Sequence, residues 1–270
     1  MKEMTKTPMT PRAVVCDVDG TLLFEHQMEP SARVMRALSQ LSERKIPLII
    51  ATGRIRQLIP PSLVRLADYC VCGNGGMVAD RSGKVLLETP FDPDLVEELT
   101  AFSDRTDAAL SFSFPSGYGV YRDFPRIGGM YLAYSDGSLP LTDESATRTR
   151  HLKEAPFSAF LIGNEGRIYE YLRRQPRLQG ARQADGYFDI YPVATTQAAG
   201  ISGLLAACSV RWEEIVAFGD SPNDLEMLAA AGYGYAMGNA CPEAKQIARF
   251  EAPPVWEDGV AQVLEELFAL

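Results

Sequence analysis

The run Val14-Val15-Cys16-Asp17-Val18-Asp19-Gly20-Thr21-Leu22-Leu23 begins as a buried strand and ends in acidic residues. Side chains two positions apart on a strand share a face, so Asp17 and Asp19 are expected to emerge together at its carboxyl end. Gly20 permits a sharp departure of the backbone, and Thr21 adds a hydroxyl. Two carboxylates this close are costly unless a cation lies between them or one keeps its proton. The run therefore indicates a nucleophile beside a general acid.

Alternating strands and helices surround this run in the first and last parts of the chain. Helices are predicted to open at Pro30-Ser31 and to cover 198–208 and 225–231, and strands are predicted at 13–18, 46–51, 69–72, 215–218 and 233–237. Strands separated by helices indicate β-α-β units. The predicted fold class is α/β, with a doubly wound, Rossmann-like parallel sheet covered on both faces.

The middle of the chain follows a different pattern. Period-two runs at 110–114 and 157–162 lie between helical patterns at 93–104 and 165–174, while Met130 to Arg150 has no clear pattern. This indicates an inserted α+β domain that two chain crossings join to the core. The predicted organisation is a loose tail at 1–10, a core formed by 11–88 and 190–270, and the inserted domain at 89–189.

Composition excludes two classes of partner. The formal net charge is −9 and the sequence pI is about 4.9. Nucleic acid and anionic membrane both require a basic face, so neither is expected as a partner. The five cysteines have irregular spacing and the chain has no signal-like apolar segment, which predicts reduced thiols in a cytoplasmic protein.

Further polar residues follow the other predicted strands. Thr52-Gly53-Arg54 comes after the second strand, where a helix N-terminus would offer free amides to phosphate. Asp220 follows the strand at 215–218 and can offer oxygen to Mg²⁺, with Asn223 and Asp224 at the start of the next helix. Ligands bind outside the carboxyl ends of the strands in such sheets. The strand ends therefore predict one common site.

These motifs resemble those of a known family. Asp17-Val18-Asp19-Gly20-Thr21-Leu22 resembles the nucleophile loop of the haloacid dehalogenase superfamily, whose members are mostly Mg²⁺-dependent phosphatases. Ala51-Thr52-Gly53-Arg54 resembles its phosphate-binding turn, and the run from Gly219 to Leu228 resembles its acidic motif. Gly73-Asn74-Gly75-Gly76 is similar to a turn beside the active site of Cof-type sugar phosphatases, and the insertion lies where those proteins carry an α+β cap.

The resemblance implies a Mg²⁺-dependent phosphatase of a small phosphorylated metabolite, with sugar phosphates favoured and a monomer or homodimer expected. Asp17 would form an aspartyl-phosphate, and Asp19 would act as general acid and then general base. The implied metal ligands are Asp17, the backbone carbonyl of Asp19 and Asp220, with Asp224 behind these ligands or reaching the metal through water. The implied phosphate- and substrate-binding residues are Thr52, Gly53, Arg54, Asn74, Gln197 and Asn223.

One position departs from the family pattern. The family places a lysine about two dozen residues before the first aspartate of the acidic motif, where this chain has Gln197, and no lysine occurs between Lys153 and Lys245. Glutamine keeps two hydrogen-bond donors but has no charge, and Arg54 or Arg182 could replace part of that charge. Two alternatives therefore stay open beside the phosphatase: a phosphomutase that uses the same aspartates, and a phosphate-ligand-binding protein with weakened catalysis.

Overall fold

The computed structural model describes residues 11–25, 27–132 and 140–270. The predicted tail at 1–10 lies outside the described residues, as does part of the unassigned stretch at 130–150. The strands are β1 Ala13–Cys16, β2 Leu48–Ala51, β3 Tyr69–Cys72, β4 Met77–Asp80, β5 Val85–Glu88, β6 Ala109–Phe114, β7 Gly117–Arg122, β8 Leu141–Asp143, β9 Ser158–Ile162, β10 Leu178–Ala184, β11 Tyr187–Pro192, β12 Ile215–Gly219, β13 Tyr233–Met237 and β14 Phe250–Ala252. The α-helices are α1 Ala32–Glu43, α2 Pro61–Leu66, α3 Pro93–Thr106, α4 Phe124–Leu132, α5 Glu165–Arg174, α6 Gln197–Cys208, α7 Leu225–Ala230, α8 Pro242–Ile247 and α9 Gly259–Phe268.

The first sheet has the strand order β14-β13-β12-β1-β2-β3-β4-β5. All pairs from β14 to β3 are parallel, which confirms the predicted parallel α/β core. Strands β4 and β5 add an antiparallel edge that the sequence analysis did not predict. Chain order runs outward from β1 in both directions, so the strand order reverses between β1 and β12. The carboxyl ends of these two strands are therefore where a ligand site is expected.

Local sequence explains the helices that cover this sheet. The Ser31 hydroxyl accepts the backbone N–H of Val34 and caps α1, whose apolar side chains Val34, Leu38 and Leu41 are buried. Helix α1 packs against α2 and α9, and helix α7 packs against α6 and α8. Helices α1 and α2 connect β1 to β2 and β2 to β3, whereas α7 and α8 connect β12 to β13 and β13 to β14. These connections run in opposite directions along the sheet, so right-handed crossovers place the two pairs of helices on opposite faces.

The second sheet has the order β10-β11-β9-β6-β7-β8 and is antiparallel except for the β7–β8 pair. One face of β6 directs Leu110, Phe112 and Phe114 into a cluster with apolar residues of α3. The other face contributes to the large hydrophobic cluster that also contains the first sheet, together with Tyr131 of α4. One hydrophobic cluster is therefore shared between the inner face of the second sheet and the first sheet.

The chain enters the second sheet after β5 and returns to the first through β11 and α6. Strand β11 continues to Pro192, past the boundary predicted at residue 189. The division into a core and an inserted domain therefore remains a proposal. The five cysteines are all free thiols. Within the described ranges, no helix is both long enough and apolar enough to span a bilayer.

Candidate active site

The loop after β1 carries the first two candidate residues. Strand β1 ends at Cys16, so Asp17 and Asp19 lie beyond the strand, and the expectation that both share one strand face is wrong. The Asp17 side chain is buried, whereas the side chain of Asp19 is 54% exposed. The loop turns because Gly20 adopts a φ of 83°, and a Cβ there would lie 2.3 Å from Asp220 Oδ2. The two carboxylates therefore differ in exposure, although the charge of Asp19 still contributes to the raised pKa of Asp17.

Three carboxylates converge where β1 and β12 end. Asp17, Asp220 and Asp224 each offer an oxygen within 4.8 Å of the others. The parallel pairing of Cys16 with Phe218 places Asp17 beside the residues that follow β12. The carboxylate of Asp19 is not part of this group. The set offers oxygen ligands alone, which suits a hard cation such as Mg²⁺.

Electrostatics in this group disfavour three free anions. Burial and the neighbouring carboxylates hold the pKa of Asp17 well above its ordinary value. Burial and Asp224 raise the pKa of Asp220 to about 7, although a 3.0 Å hydrogen bond from the Thr21 hydroxyl opposes the rise. Burial raises the pKa of Asp224 to about 6. A cation among them would remove this penalty and restore the ionised forms.

Asp224 also has a structural role. Its Oδ2 accepts the backbone N–H groups of Asp220 at 2.9 Å and Ser221 at 3.0 Å, which stabilises the turn before α7. Its Oδ1 is buried without a hydrogen-bond partner. One carboxylate oxygen therefore holds the turn, and the other is left without a hydrogen bond.

The predicted phosphate-binding residues lie on neighbouring turns. Thr52 follows β2 and is buried, and its hydroxyl accepts the backbone N–H of Arg54. Asn223 Nδ2 donates to Asn74 Oδ1 at 2.9 Å, and a Cβ on Gly53 would lie 3.3 Å from the same oxygen. The structure thus brings these residues together across three strand ends.

The helix expected to begin at Thr52 is absent. A short 3₁₀ turn follows at Arg56–Leu58, and α2 begins only at Pro61. Proline at the first position of a helix fixes its start, because the ring sets φ and removes an N–H that would have no partner. Any phosphate at this turn would therefore meet individual N–H and hydroxyl groups rather than a helix N-terminus.

The two candidate arginines lie in different places. Arg54 pairs with Asp19 and also donates to the Leu58 carbonyl at 2.7 Å. Arg182 lies on β10 and pairs with Glu165 and Asp185 at the surface. Arg54 is therefore the one of the two that interacts with a predicted catalytic residue.

Gln197 begins α6 directly after the N-cap Thr196 and is fully buried. Its amide lies close enough to Asp224 to lower the pKa of that carboxyl. Neither amide atom, however, has a partner with hydrogen-bond geometry. The glutamine thus lies beside the acidic group.

Sequence reasoning missed several residues at the site. Thr21 was noted only as an added hydroxyl, yet it bonds Asp220. Asn239 donates to the Gly20 carbonyl at 2.7 Å and accepts the Val255 N–H, so it supports the loop. From the second sheet, Tyr118 lies within electrostatic reach of Arg54. The run Gly238-Asn239-Ala240 after the strand at 233–237 does resemble the family in sequence, but it indicated no role for Asn239, and nothing local indicated Tyr118.

Comparisons with known proteins identify the family of the chain. Residues 14–264 match the model of the haloacid dehalogenase-like hydrolases. The chain is 26% identical to a putative phosphatase, YkrA, of Bacillus subtilis over 96% of this chain and 98% of that protein. It is 29% identical to an HMP-PP phosphatase of Serratia proteamaculans, over 87% of each.

The fold has solved counterparts. A phosphatase of the same superfamily from Bacteroides thetaiotaomicron, BT1666, superposes with a TM-score of 0.84 at 23% identity, covering 99% of this chain and all of the other. At 23% identity, this similarity shows the fold alone. The chain therefore belongs to the haloacid dehalogenase-like hydrolases, which confirms the predicted family and its enzyme class of phosphatases.

Proposed function

We propose that this protein is a Mg²⁺-dependent phosphatase that hydrolyses a small phosphorylated metabolite through an aspartyl-phosphate intermediate. The observation that carries the proposal is the buried Asp17 carboxylate, which lies against Asp220 and Asp224 at the switch in strand order. Thr52 and Asn223 lie on the neighbouring turns and supply a hydroxyl and an amide for a phosphoryl group.

Magnesium fits the residues at this site. Asp17, Asp220 and the backbone carbonyl of Asp19 would hold it, with Asp224 behind them. All these donors are oxygens, and burial raises the pKa of each of the three clustered carboxyls. When bound, the ion would offset negative charge on the phosphoryl oxygens.

The carboxylates divide the reaction into two steps. An oxygen of Asp17 attacks phosphorus, and the bond from phosphorus to the leaving oxygen breaks as Asp19 gives that oxygen a proton. Asp19 then takes a proton from water, which attacks phosphorus, breaks the bond to Asp17 and releases phosphate. General acid–base catalysis of this kind typically contributes about 10²–10⁴-fold.

Other residues position the phosphoryl group. The Thr52 hydroxyl, the Gly53 N–H and the amides of Asn223 and Gln197 donate to its oxygens. Asn74 orients Asn223 through their 2.9 Å hydrogen bond. Arg54 positions the carboxylate of Asp19 at the exposed side of the site.

The proposed substrate is a small phosphorylated metabolite, and sugar phosphates are favoured. The resemblance to Cof-type sugar phosphatases supports that class, as does the position of the second sheet beside the turn that contains Gly73 and Gly76. The Phe157 ring lies against both glycines, where added Cβ atoms would clash with it. We propose that this inserted domain selects the leaving group, and that the enzyme is cytoplasmic.

A weakened catalyst that binds phosphorylated ligands is the second candidate. The uncharged, unpartnered Gln197 amide favours it, because a missing electrostatic donor typically lowers turnover by about 10²–10³-fold. In that case the chain would bind a phosphorylated ligand in Mg²⁺ and release little phosphate.

The test is phosphate release from a panel of phosphorylated metabolites in Mg²⁺ or EDTA. We expect Mg²⁺-dependent turnover that Asp17→Asn abolishes and that Asp185→Asn, an exposed control, leaves unchanged. Turnover that survived in Asp17→Asn would refute the nucleophile assignment. Binding without turnover, restored by Gln197→Lys, would identify the weakened catalyst, and transfer of phosphate back to the product would identify a mutase.

A further inference from the structure

Unpartnered polar atoms cluster beside the acidic group. Gln197 is fully buried, yet neither its Nε2 nor its Oε1 has a hydrogen-bond partner. The adjacent Asp224 Oδ1 is also buried without a partner, and so is the hydroxyl of Thr195 two residues before Gln197. Buried polar groups in folded proteins are almost always hydrogen-bonded, because leaving one unpaired destabilises the fold. A group that binds oxygen ligands is therefore expected between Gln197 and Asp224.

Charge at the same place favours a cation over water. Arg54 pairs with Asp19, which leaves Asp17, Asp220 and Asp224 as three clustered carboxylates. A divalent ion offsets two of these three negative charges, so one negative charge remains. The substrate phosphate then adds further negative charge. A water molecule would satisfy the hydrogen bonds at Gln197 but would not offset this charge.

Side chains from neighbouring elements do not provide the missing charge. Lys245 of α8 donates to the Gly238 carbonyl and pairs with Glu251 on β14. Arg182 is held at the surface of the second sheet. Among the residues placed by the structure, Arg54 is a cation close enough to Asp17 for that carboxylate to help raise its pKa. Arg54 is already paired with Asp19.

We propose that Gln197 Oε1 and Asp224 Oδ1 bind a monovalent cation, K⁺ or NH₄⁺, beside the divalent site. The inference rests on the proposed function, because the cation would offset charge at the same phosphoryl-binding site. Amide carbonyls and carboxylates are oxygen ligands that suit such hard ions. In this arrangement the Gln197 amide, whose present contact lowers the pKa of Asp224, turns so that Oε1 faces the cation and Nε2 donates to a phosphoryl oxygen.

The first test measures binding without catalysis. Thermal unfolding in saturating Mg²⁺ is compared in potassium chloride and in tetramethylammonium chloride at equal ionic strength. A ligand that binds only the folded state raises the midpoint in a saturable way, and we expect a rise of roughly 2–4 °C or more in K⁺. Gln197→Lys and Gln197→Met should lose this rise, whereas Gln246→Lys, an exposed control on α8, should keep it.

The second test measures phosphate release from the best substrate of the panel in the same two salts. Turnover of the unmodified chain is expected to rise at least about tenfold in K⁺, because one electrostatic group typically contributes about 10²–10³-fold. Turnover of Gln197→Lys should not depend on the salt, because its own ammonium supplies the charge.

The two tests separate the two proposals. Turnover without any saturable K⁺ effect on the midpoint or the rate would overturn the cation site and leave the phosphatase intact. A K⁺ effect on the midpoint that needs Gln197, in a chain that turns over no substrate, would support the site and count against the phosphatase. Equal stabilisation of the chain and of both Gln197 variants would show a general salt effect and overturn the site. Gln197→Met keeps the test valid if Gln197→Lys does not fold.

Discussion

Arg54 holds Asp19 through two parallel hydrogen bonds, from Nε to Oδ2 at 2.8 Å and from Nη2 to Oδ1 at 2.6 Å. The third arm of the guanidinium donates to the Leu58 carbonyl, so Arg54 itself is fixed by the chain that follows it. Two-point pairs of this kind restrict the orientation of a carboxylate more than a single contact does. Arg54 is therefore a positioning residue for the proposed general acid.

Arg54→Lys should reduce turnover about tenfold or more without unfolding the protein. Lysine keeps the charge but cannot make the two-point contact with Asp19, so the carboxylate loses its fixed orientation. Phosphate release and the unfolding midpoint are measured together. Arg182→Lys is the matched control. Like Arg54, Arg182 pairs with acidic side chains, but it lies at the surface on β10 and its partners are Glu165 and Asp185. An equal loss of turnover in both variants would contradict a specific role for Arg54.

Gly20→Ala should destabilise the protein and weaken metal binding. Alanine is strained at a φ of 83°. Its Cβ would lie only 2.3 Å from Asp220 Oδ2 and would therefore displace that carboxylate. We expect a loss of about 1–3 kcal/mol in the free energy of unfolding, measured in urea. Gly129→Ala in α4 is the control, because nothing lies within 4 Å of its added Cβ. That variant should be neutral or up to about 1 kcal/mol more stable.

Asp220→Asn should raise the Mg²⁺ concentration at half-maximal phosphate release by at least about tenfold. The substitution removes one of the three converging carboxylates and keeps its size. The measurement is a Mg²⁺ titration of turnover, with Asp185→Asn as the exposed control. An unchanged Mg²⁺ requirement in Asp220→Asn would show that the metal lies elsewhere.

Asp189→Asn should stabilise the protein at neutral and alkaline pH. Burial raises the pKa of Asp189 on β11 to about 7, against 3.8 ordinarily, although Gln183 donates to its carboxylate at 2.7 Å. The native state therefore keeps this proton between about pH 4 and 7, where the unfolded chain has lost it. The stability that this group contributes falls as pH rises through that window, by at most about 1.4 kcal/mol per pH unit.

Urea unfolding at pH 5 and pH 8 checks this linkage. The gain in free energy of unfolding of Asp189→Asn over the unmodified protein should be larger at pH 8. Asp143→Asn is the control, because hydrogen bonds from Ser145 hold the pKa of Asp143 below its ordinary value. A gain for Asp189→Asn that did not change with pH would show that the carboxyl ionises normally in the folded protein.

Much of the core sheet could be predicted because its signals are local. Strands β3 and β13 have the predicted bounds, since apolar runs that end in glycine and polar residues identify buried parallel strands. Helix α5 also has its predicted bounds, with Asn164 as its N-cap. The antiparallel edge strands β4 and β5 were missed. Strand β5 is mostly exposed although three of its four residues are apolar, so it shows no period-two contrast.

The site was predictable in its residue types and less so in its contacts. The acidic residues after β1 and β12 were expected to meet, and Asp17, Asp220 and Asp224 do lie together. Asp19 was expected to share their direction. Asp19 pairs instead with Arg54, which is 35 residues away in sequence. Such pairings depend on the packing of neighbouring turns and leave no local pattern.

The α/β core and the residues that follow each strand could be read from hydrophobic periodicity, and the family from short motifs, because both are local features of the chain. Which of these groups touch depends on how the chain packs. In the folded chain, Asp224 Oδ2 accepts backbone N–H groups, Gln197 is buried without a hydrogen-bond partner, and Asp19 pairs with Arg54. The physical reason is that hydrogen bonds and charge interactions act over a few ångströms, and only folding brings distant turns within that range.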